Sequence, residues 1–441
     1  MFRLPLPEDR QSTDVLHWFR ILLKPFFMNG FSRLVNFLGL KRSMVGLLSM
    51  VVLVGLGEKM AERFLPIYLL ALGSGVLWPG LLNALDNILS ALYSFPGGYL
   101  SDRLGMKRAL LVFNLLAMIG YVIVIVVPTW PAVIVGSFFF LSWTAISLPA
   151  TMDLVSKVLP KNKRTMGVSV HSLVRRIPMA LGPIIGGICI DIWGVVAGVR
   201  IAFSTALVLA GLAVVLQQVL IEDSASGSAK KKAEGNAFRL LKEMNPALKS
   251  LLVSDILIRF CEQIPYAYVV VWCMNSIAGA ATAQISGKAF GFLTAIEMVT
   301  ALLIYIPVAY LADKSRKKPF VLITFVNFTL FPLVLLFSRS MAWLVFAFVL
   351  RGLKEFGEPT RKALIMDLAP EDKKAAMFGT YYLFRDIVVG VGAGVGAFLW
   401  QVGPQANFLA AFACGLVGTL WFTIYGCDLN VQPRHDVKAL G

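Results

Sequence analysis

The sequence predicts an all-α membrane protein, in which twelve transmembrane helices form two pseudo-symmetric six-helix bundles. Three observations lead to this fold class. Hydrophobic residues make up 58% of the 441 residues and charged residues only 15%, which lies outside the composition of soluble domains. Apolar runs of roughly 20 residues or more recur along the chain. Positions in the first half of the chain also recur in the second half at a nearly constant offset.

Twelve apolar runs are long enough to cross a bilayer. They cover residues 43–72, 76–100, 107–128, 131–156, 166–191, 198–221, 248–275, 284–311, 318–338, 340–368, 375–402 and 405–427. An even number of spans places both ends of the chain on one side of the membrane. Lysine and arginine concentrate in alternate loops, so the positive-inside rule predicts that both termini are cytoplasmic.

A polar segment divides these runs into two sets of six. It covers residues 222–247, and its serines, glycine and lysine run are typical of a linker. The predicted bundles therefore cover 43–221 and 248–428. Residues 1–42 are basic and amphipathic, which predicts a cytoplasmic or interfacial segment, and residues 429–441 form a cytoplasmic tail.

Internal duplication supports the division into two halves. With an offset of 210, identical residues align without a gap. The matches are Pro149 with Pro359, Pro160 with Pro370, Arg175 with Arg385, Gly182 with Gly392 and Gly186 with Gly396. Two related six-helix halves joined by a basic linker are typical of transporters.

The charge and cysteine content exclude several other classes of protein. The net charge of +16 comes from short basic clusters between apolar runs, which retention of cytoplasmic loops explains better than nucleic-acid binding. The five cysteines lie in apolar runs without metal-ligand spacing. No phosphate-binding loop or nucleophile motif occurs. We therefore expect no metal, no cofactor, no nucleic-acid partner and no enzymatic activity.

A basic turn lies between the second and third apolar runs, and a related turn surrounds Asp313. The first turn carries Gly98, Leu100, Asp102, Arg103, Gly105 and Lys107. With these residues, the sequence resembles the major facilitator superfamily over about residues 43–428. Met106 stands where that family usually has a basic residue, and the copy at Asp313 lacks the glycines. The resemblance implies that both turns form a gating motif, in which Asp102 and Arg103 contact the start of the eleventh span in the outward-facing state.

The resemblance also concerns the helices that surround the substrate. It implies that the first, fourth, seventh and tenth helices enclose the substrate cavity. The residues Gly182-Pro183 and Gly186-Gly187 resemble an element of the family's fifth helix that is commoner in exporters. Close packing of helices at glycine is the alternative explanation.

Charged residues inside apolar spans are costly, so each requires a partner or a function. The third, sixth, ninth and twelfth spans have uncharged interiors, which predicts a scaffold that faces lipid. The remaining spans, which carry charges in their interiors, should line a polar pathway. Their residues are Glu58, Lys59, Glu62, Arg63, Asp86, Arg175, Arg176, Arg259, Glu262, Glu297, Arg351, Lys354, Glu355, Glu358, Arg385 and Asp386.

Several of these residues have a charge of opposite sign on the same helix face. The pairs are Lys59 with Glu62, Arg259 with Glu262, and Arg351 with Glu355. Each pair either satisfies only itself or also contacts a substrate or a proton. Arg175 and Arg176 have no acid in their own span. Their partner is either an anionic substrate group, held bidentately, or one of Glu58 and Glu355.

Asp86 and Glu297 are the first candidates for proton coupling. Neither has a basic residue within four positions, and both lie near the middle of a span. A carboxylate buried without a cation takes up a proton more readily than one in water. Glu58 and Glu262 are further candidates. The alternative is that Asp86 and Glu297 accept hydrogen bonds or pair with Arg175, Arg176 or Arg385.

The expected function is secondary active transport of a small organic molecule by alternating access, coupled to protons and directed towards export. A channel or lipid scramblase, or a receptor or scaffold that transports nothing, is the alternative. The expected partners are the substrate, protons and the lipid bilayer, with the chain as a monomer. In a prokaryote it would lie in the plasma (inner) membrane.

Overall fold

A computed structural model of the chain describes residues 42–141, 164–221, 237–274, 285–313, 316–370 and 374–428, together with positions 143, 147 and 151. The predicted N-terminal amphipathic segment, except Arg42, and the predicted tail from residue 429 lie outside the described residues. Every regular element in the described part of the chain is an α-helix.

The first half begins with a helix that is interrupted and ends with a pair of antiparallel limbs. Its helices are α1 (Arg42–Glu62), α2 (Leu65–Ala71), α3 (Trp78–Leu104), α4 (Met106–Val126), α5 (Trp130–Phe140) and α6 (Arg164–Leu220). The chain reverses within α6 at Gly194, whose φ of 77° suits glycine and breaks the helix. The two limbs of α6 correspond to the predicted spans 166–191 and 198–221.

The second half repeats this arrangement with more interruptions. Its helices are α7 (Ala237–Glu243), α8 (Pro246–Tyr266), α9 (Tyr268–Met274), α10 (Gly287–Asp313), α11 (Lys318–Phe337), α12 (Met341–Leu353), α13 (Glu358–Leu368), α14 (Lys374–Val402) and α15 (Pro404–Tyr425). Helix α7 lies inside the segment predicted as a linker. Asn245 caps α8 by accepting a hydrogen bond from the Leu248 amide at 2.7 Å.

Length and composition make seven of the described helices able to cross a membrane, and the bent pair α8 and α9, at 44°, adds an eighth. One of the seven, the Leu173–Leu220 part of α6, holds both limbs. Large apolar side chains are exposed on the outer surface, among them Val208 at 70% and Ile424 at 69%. A surface of this kind suits a hydrocarbon environment.

Three predicted spans are broken where a continuous helix was expected. The breaks fall at Arg63 and Phe64 between α1 and α2, at Ala267 between α8 and α9, and at 354–357 between α12 and α13. Proline explains the position of each break, because it lacks the amide hydrogen and clashes with the preceding turn. Pro66 and Pro359 lie in the first turn of the helix after the break, and Pro265 lies in the last turn before it.

The two halves pack together mainly through two helix pairs, α3 with α14 and α6 with α10. Gly187 of α6 faces Gly287 at the start of α10 so closely that a Cβ atom on Gly187 would overlap the Gly287 carbonyl. Gly182 and Gly186 instead pack against Lys59 and Met60 of α1. The glycine-proline element therefore serves close helix packing in this structure.

Candidate functional site: a charged cavity between the halves

A cavity of about 790 Å³ lies between the two halves. Its walls come from the end of α1, from α3, the first limb of α6, α8, α10 and the 354–362 region. No lining residue comes from α4, the second limb of α6, α11 or α15. In the described residues, the helices predicted to be uncharged scaffold thus lie outside this cavity. The fourth predicted span is described only up to Leu141 and at positions 143, 147 and 151.

One end of the cavity is closed by polar contacts between the halves. The Asn83 side chain donates to the Gln263 carbonyl and side-chain oxygens at 3.3 and 3.2 Å, and Asn87 donates to the same side-chain oxygen at 3.2 Å. Arg63 donates from Nη1 to the Tyr266 hydroxyl at 2.9 Å. These bonds join α1 and α3 of the first half to α8 of the second.

Beyond these bonds, a carboxylate of one half caps a helix of the other. The amides of Gly287 and Lys288, at the start of α10, donate to the two Asp191 carboxylate oxygens at 2.7 and 2.9 Å. The opposite end of the cavity is lined by Leu173, 42% exposed, and Lys362, whose side chain is 46% exposed. The cavity therefore opens towards the end where α6 begins and α13 continues.

The centre of the cavity holds a chain of alternating charges from three helices. Glu262 of α8 lies 2.7 Å from both Arg259 and Lys354. Lys354 also lies 3.2 Å from Glu297 of α10, and Arg351 of α12 lies 3.4 Å from the same carboxylate. Lys354 thus joins two buried carboxylates.

Glu297 is not the isolated carboxylate that the sequence suggested. Its side chain is 1% exposed and has two cationic neighbours, Arg351 of α12 and Lys354 at the C-cap of that helix. Arg175, Arg176 and Arg385 are not among its neighbours. No described residue donates a hydrogen bond to either of its oxygens. Asp86 lines the same cavity and also makes an interaction within the structure.

The ion pairs predicted within one helix form where the helix is continuous, and the predicted pair that crosses a helix break does not form. Lys59 contacts Glu62 and lies 3.3 Å from Glu58, and Arg259 pairs with Glu262. The predicted pair of Arg351 with Glu355 does not form, because α12 ends at Leu353 and the spacing of four residues no longer places them on one face.

Glu355 instead bridges the halves. Its carboxylate lies 3.3 Å from Nη2 of Arg176, on α6. This contact is one of the two alternatives that the sequence left for Arg176. Neighbouring Arg175 lines the same cavity, and no described carboxylate lies within 4.0 Å of it.

A second buried network lies beside the cavity, and the sequence analysis missed two of its members, Asp255 and Arg361. Both side chains are 1% exposed and contact each other, and the Tyr381 hydroxyl donates to Asp255 at 3.0 Å. Arg361 also lies 2.7 Å from Glu358. A polar residue one helical turn before Arg259 is the signal that would have revealed Asp255.

Arg385 and Asp386 join this second network and do not line the cavity. Arg385 lies 2.6 Å from Asp386, its neighbour in sequence, and 3.7 Å from Asp255. The Arg385 guanidinium also lies 4.1 Å from the centre of the Tyr382 ring. The prediction that both residues line the polar pathway is therefore wrong in this conformation.

Comparison with known proteins identifies the family of this architecture. The sequence model of the Major Facilitator Superfamily matches residues 47–284 and 266–438. The chain belongs to the major facilitator superfamily. As in the prediction, the fold is that of this superfamily, an all-α membrane protein of two related six-helix bundles.

Curated relatives of this superfamily chain are distant in sequence and cover most of it. The chain is 24% identical over 404 residues to "Multidrug resistance protein MdtG" of Klebsiella pneumoniae, a match that covers 88% of this chain and 95% of the relative. It is 20% identical over 376 residues to the uncharacterized MFS-type transporter MJ1317 of Methanocaldococcus jannaschii. This match covers 83% of this chain and 90% of the relative.

Solved structures resemble the chain in fold. The nucleoside transporter NupG superposes with a TM-score of 0.72 at 13% identity, and the match covers 87% of this chain and 99% of the other. The peptide transporter POT in complex with sulfate gives a TM-score of 0.70 at 13% identity. This match covers 87% of this chain and 94% of the other.

The residues predicted to form a gating motif lie in a more helical segment than the predicted turn. Helix α3 continues to Leu104 and α4 begins at Met106, so Gly105 alone separates them, with a φ of 77° that favours glycine. The backbone of Gly98, Asp102 and Arg103 lies in the last turns of α3, and the Asp102 side chain lies outside the described residues. Lys107 accepts a hydrogen bond at its carbonyl from Gln217 at 2.8 Å. Asp313 ends α10.

Proposed function

We propose that this chain is a secondary active transporter that moves a small organic molecule by alternating access. The observation that carries the proposal is the central cavity between the two halves, which is closed at the Asp191 end and open at the Leu173 end. Such a cavity reaches only one side of the membrane at a time, as alternating access requires. A channel would need a path open at both ends, and a receptor would not need the halves to move.

Protons supply the energy in this proposal, and Glu297 and Glu262 bind them in the conformation that separates each carboxylate from its cationic neighbours. Both carboxylates line the cavity and share Lys354. A proton on either carboxylate removes one attraction on Lys354, which loosens the link between α8, α10 and α12. Asp86 and Glu58 are further proton-binding candidates.

We also propose export as the direction, a monomer as the working form, and the plasma (inner) membrane of a prokaryote as the location, with both termini cytoplasmic. Similarity to a relative named for multidrug resistance supports export. Lys317, in one of the basic loops, contacts Asp367 near the end of α13, at the open end of the cavity, so the positive-inside rule supports an opening towards the cytoplasm.

Two pairs of spin labels test alternating access without a known substrate. The closed-end pair is Val127→Cys with Met341→Cys, and the open-end pair is Leu104→Cys with Arg316→Cys. All four native side chains are exposed, and each pair joins opposite halves. The labels are placed in a variant whose five cysteines are replaced by alanine. We expect distance distributions in liposomes in which one pair lengthens as the other shortens. A constant distance in both pairs would contradict transport by alternating access.

The proton component has a separate test. The label distances are measured between about pH 5 and pH 8 in the parent protein, in Glu297→Gln and in Glu262→Gln. We expect the parent to change its conformational populations with pH and each variant to lose most of this response, because an amide cannot bind the proton. Asp367→Asn is the control, since Asp367 pairs with Lys317 and does not line the cavity. An unchanged pH response in both variants would exclude these carboxylates.

A further inference from the structure

The carboxylates of the cavity already have partners. Glu262 and Glu297 share Lys354, Glu355 pairs with Arg176, and Asp86 also makes an interaction. Glu358 lies 3.3 Å from Arg259 and 3.5 Å from Lys362. A cationic ligand would therefore have to displace an existing contact at these groups.

Two guanidinium groups of the cavity have no acidic partner. No carboxylate of the described residues lies within 4.0 Å of Arg63 or Arg175, although both line the cavity. Arg63 uses only Nη1, which bonds to the Tyr266 hydroxyl. Its Nε and Nη2 donate to no described residue, and this edge of a guanidinium is the one that binds a carboxylate or phosphate bidentately.

The two arginines lie at different depths. Gly182 of α6 packs against Lys59 of α1, and Arg175 precedes Gly182 by seven residues, or about 10 Å of helix, towards the open end. Arg63 lies one turn beyond Lys59, towards the closed end. An anion entering the cavity therefore meets Arg175 first and Arg63 second.

An apolar recess adjoins Arg63 at the closed end. Four residues, Arg63, Asn83, Asp86 and Tyr266, line both the recess and the cavity. Glu62 and Arg351 also line the recess, and the rest of its wall is apolar. It includes Leu65, Leu82, Leu141, Val269 and Phe290. A ligand whose charged group bonds to Arg63 would place a neighbouring apolar group against these side chains.

We infer that the substrate is an organic anion with an apolar group, which Arg175 receives near the open end and Arg63 holds beside the apolar recess. This inference rests on the proposed transport function and narrows its substrate class. It differs from binding of lipophilic cations, because the two charged groups of the cavity that have no opposite charge of the described residues within 4.0 Å, Arg63 and Arg175, are positive.

A pair of probes of opposite charge tests the inference. Indole-3-propionate and tryptamine share an indole ring and a short chain, and at neutral pH the first is an anion and the second a cation. Binding of each radiolabelled probe to the purified full-length chain is measured by equilibrium dialysis. We expect the anion to bind on the order of tenfold more tightly than the cation, and Arg63→Gln and Arg175→Gln each to weaken anion binding by about tenfold or more.

Arg239→Gln is the matched control, since Arg239 is 80% exposed on α7 and does not line the cavity. Arg63→Lys should bind the anion with intermediate affinity, because it keeps the charge and loses the planar pair of donors. Thermal unfolding of each variant shows that it is folded, and Arg175→Gln provides an independent result if Arg63→Gln is unstable.

Equal or tighter binding of tryptamine, binding of neither probe, or anion binding unchanged in both arginine variants would overturn the inference. The spin-label distances separate it from the proposed function. A chain that alternates but binds no anion has a different substrate class, whereas a chain that binds the anion at constant label distances is not a transporter.

Discussion

Asp255 and Arg361 form a buried ion pair in which the partners depend on each other. Arg361 has Asp255 and Glu358 as acidic neighbours, and Asp255 accepts a further hydrogen bond from Tyr381. Burial removes both charges from water, a cost that only the mutual attraction and the added hydrogen bonds offset. Loss of one partner therefore leaves a charge in an apolar environment.

Removal of one member of this pair should destabilise the protein strongly. For Arg361→Met we expect the free energy of unfolding to fall by about 3–5 kcal/mol, with a lower Tm, because Asp255 keeps its charge without its main partner. The double variant Asp255→Leu with Arg361→Met should recover most of this loss. Thermal unfolding in detergent measures both, with Arg239→Gln as the control. A double variant less stable than the single one would argue against the ion pair as the cause.

At the scale of residues, the sequence predicts contacts within a helix far better than contacts between helices. Lys59 with Glu62 and Arg259 with Glu262 follow from spacing alone. The neighbours of Glu297 come from α12 and its C-cap, at positions 54 and 57 residues later in the chain, and no local spacing contains that information. The predicted pair of Arg351 with Glu355 does not form, because the helix ends at Leu353, between the two residues.

Close glycine packing and one helix cap hold the closed end at the scale of elements. Gly187 meets Gly287, and Asp191 accepts the first amides of α10. Both contacts join α6 to α10, and both disappear if this end opens. The start of a helix carries partial positive charge, so the Asp191 carboxylate is favourably placed there.

Gly187→Ala should favour conformations in which the Asp191 end is open. The added methyl group would overlap the Gly287 carbonyl, so the two helices must separate. We expect a larger fraction of long distances for the closed-end label pair, Val127 with Met341. Gly211→Ala is the matched control, because no atom lies within 4 Å of a Cβ at Gly211. A distance distribution equal to that of the control would contradict this account.

Asp191→Ala should shift the same distances in the same direction without steric overlap. The change removes the acceptor of two amide hydrogen bonds between the halves. We expect a population shift of several-fold, which corresponds to about 1–2 kcal/mol for a charged N-terminal cap. Asp191→Asn keeps one acceptor oxygen and should lie between the parent and Asp191→Ala. The closed-end labels report all three variants.

The extent of most helices was predictable from apolar runs, and their interruptions were visible only as prolines. Pro66, Pro265 and Pro359 each lie next to an observed break. The sequence could not show which prolines break a helix, since Pro178 and Pro183 lie inside α6 without a break of this kind. The surrounding packing decides between a kink and a break.

An ion pair spans the cavity at the scale of the whole molecule. Arg176 of the first half lies 3.3 Å from Glu355 of the second. Any change in the separation of the halves at this depth changes that distance. The pair therefore contributes to the relative stability of the conformations between which the halves move.

A charge reversal tests this role. Glu355→Arg places a second cation opposite Arg176, and we expect exchange of bound substrate across liposome membranes to slow by about tenfold. The double variant Arg176→Glu with Glu355→Arg restores opposite charges and should regain part of the rate. A double variant as slow as Glu355→Arg would show that the pair does not control the movement.

The arrangement of the two halves was predictable because duplication and charge-free spans are properties of the entire sequence. The uncharged spans lie outside the cavity lining, as expected. The substrate pathway was only partly predictable, since Arg385 and Asp386 belong to a separate network beside it. Side chains on one span face several neighbours, and only the packed structure shows which one they contact.

The interruptions in the cavity helices affect the order in which the two ends of the cavity open and close. The breaks after Glu62 and at Ala267 separate α2 and α9, at the closed end, from the segments that carry the charge network. Each of these outer segments can bend at its break while the inner segment stays in place. We therefore expect that both ends can be shut at once, in an occluded state that isolates the cavity from water on either side.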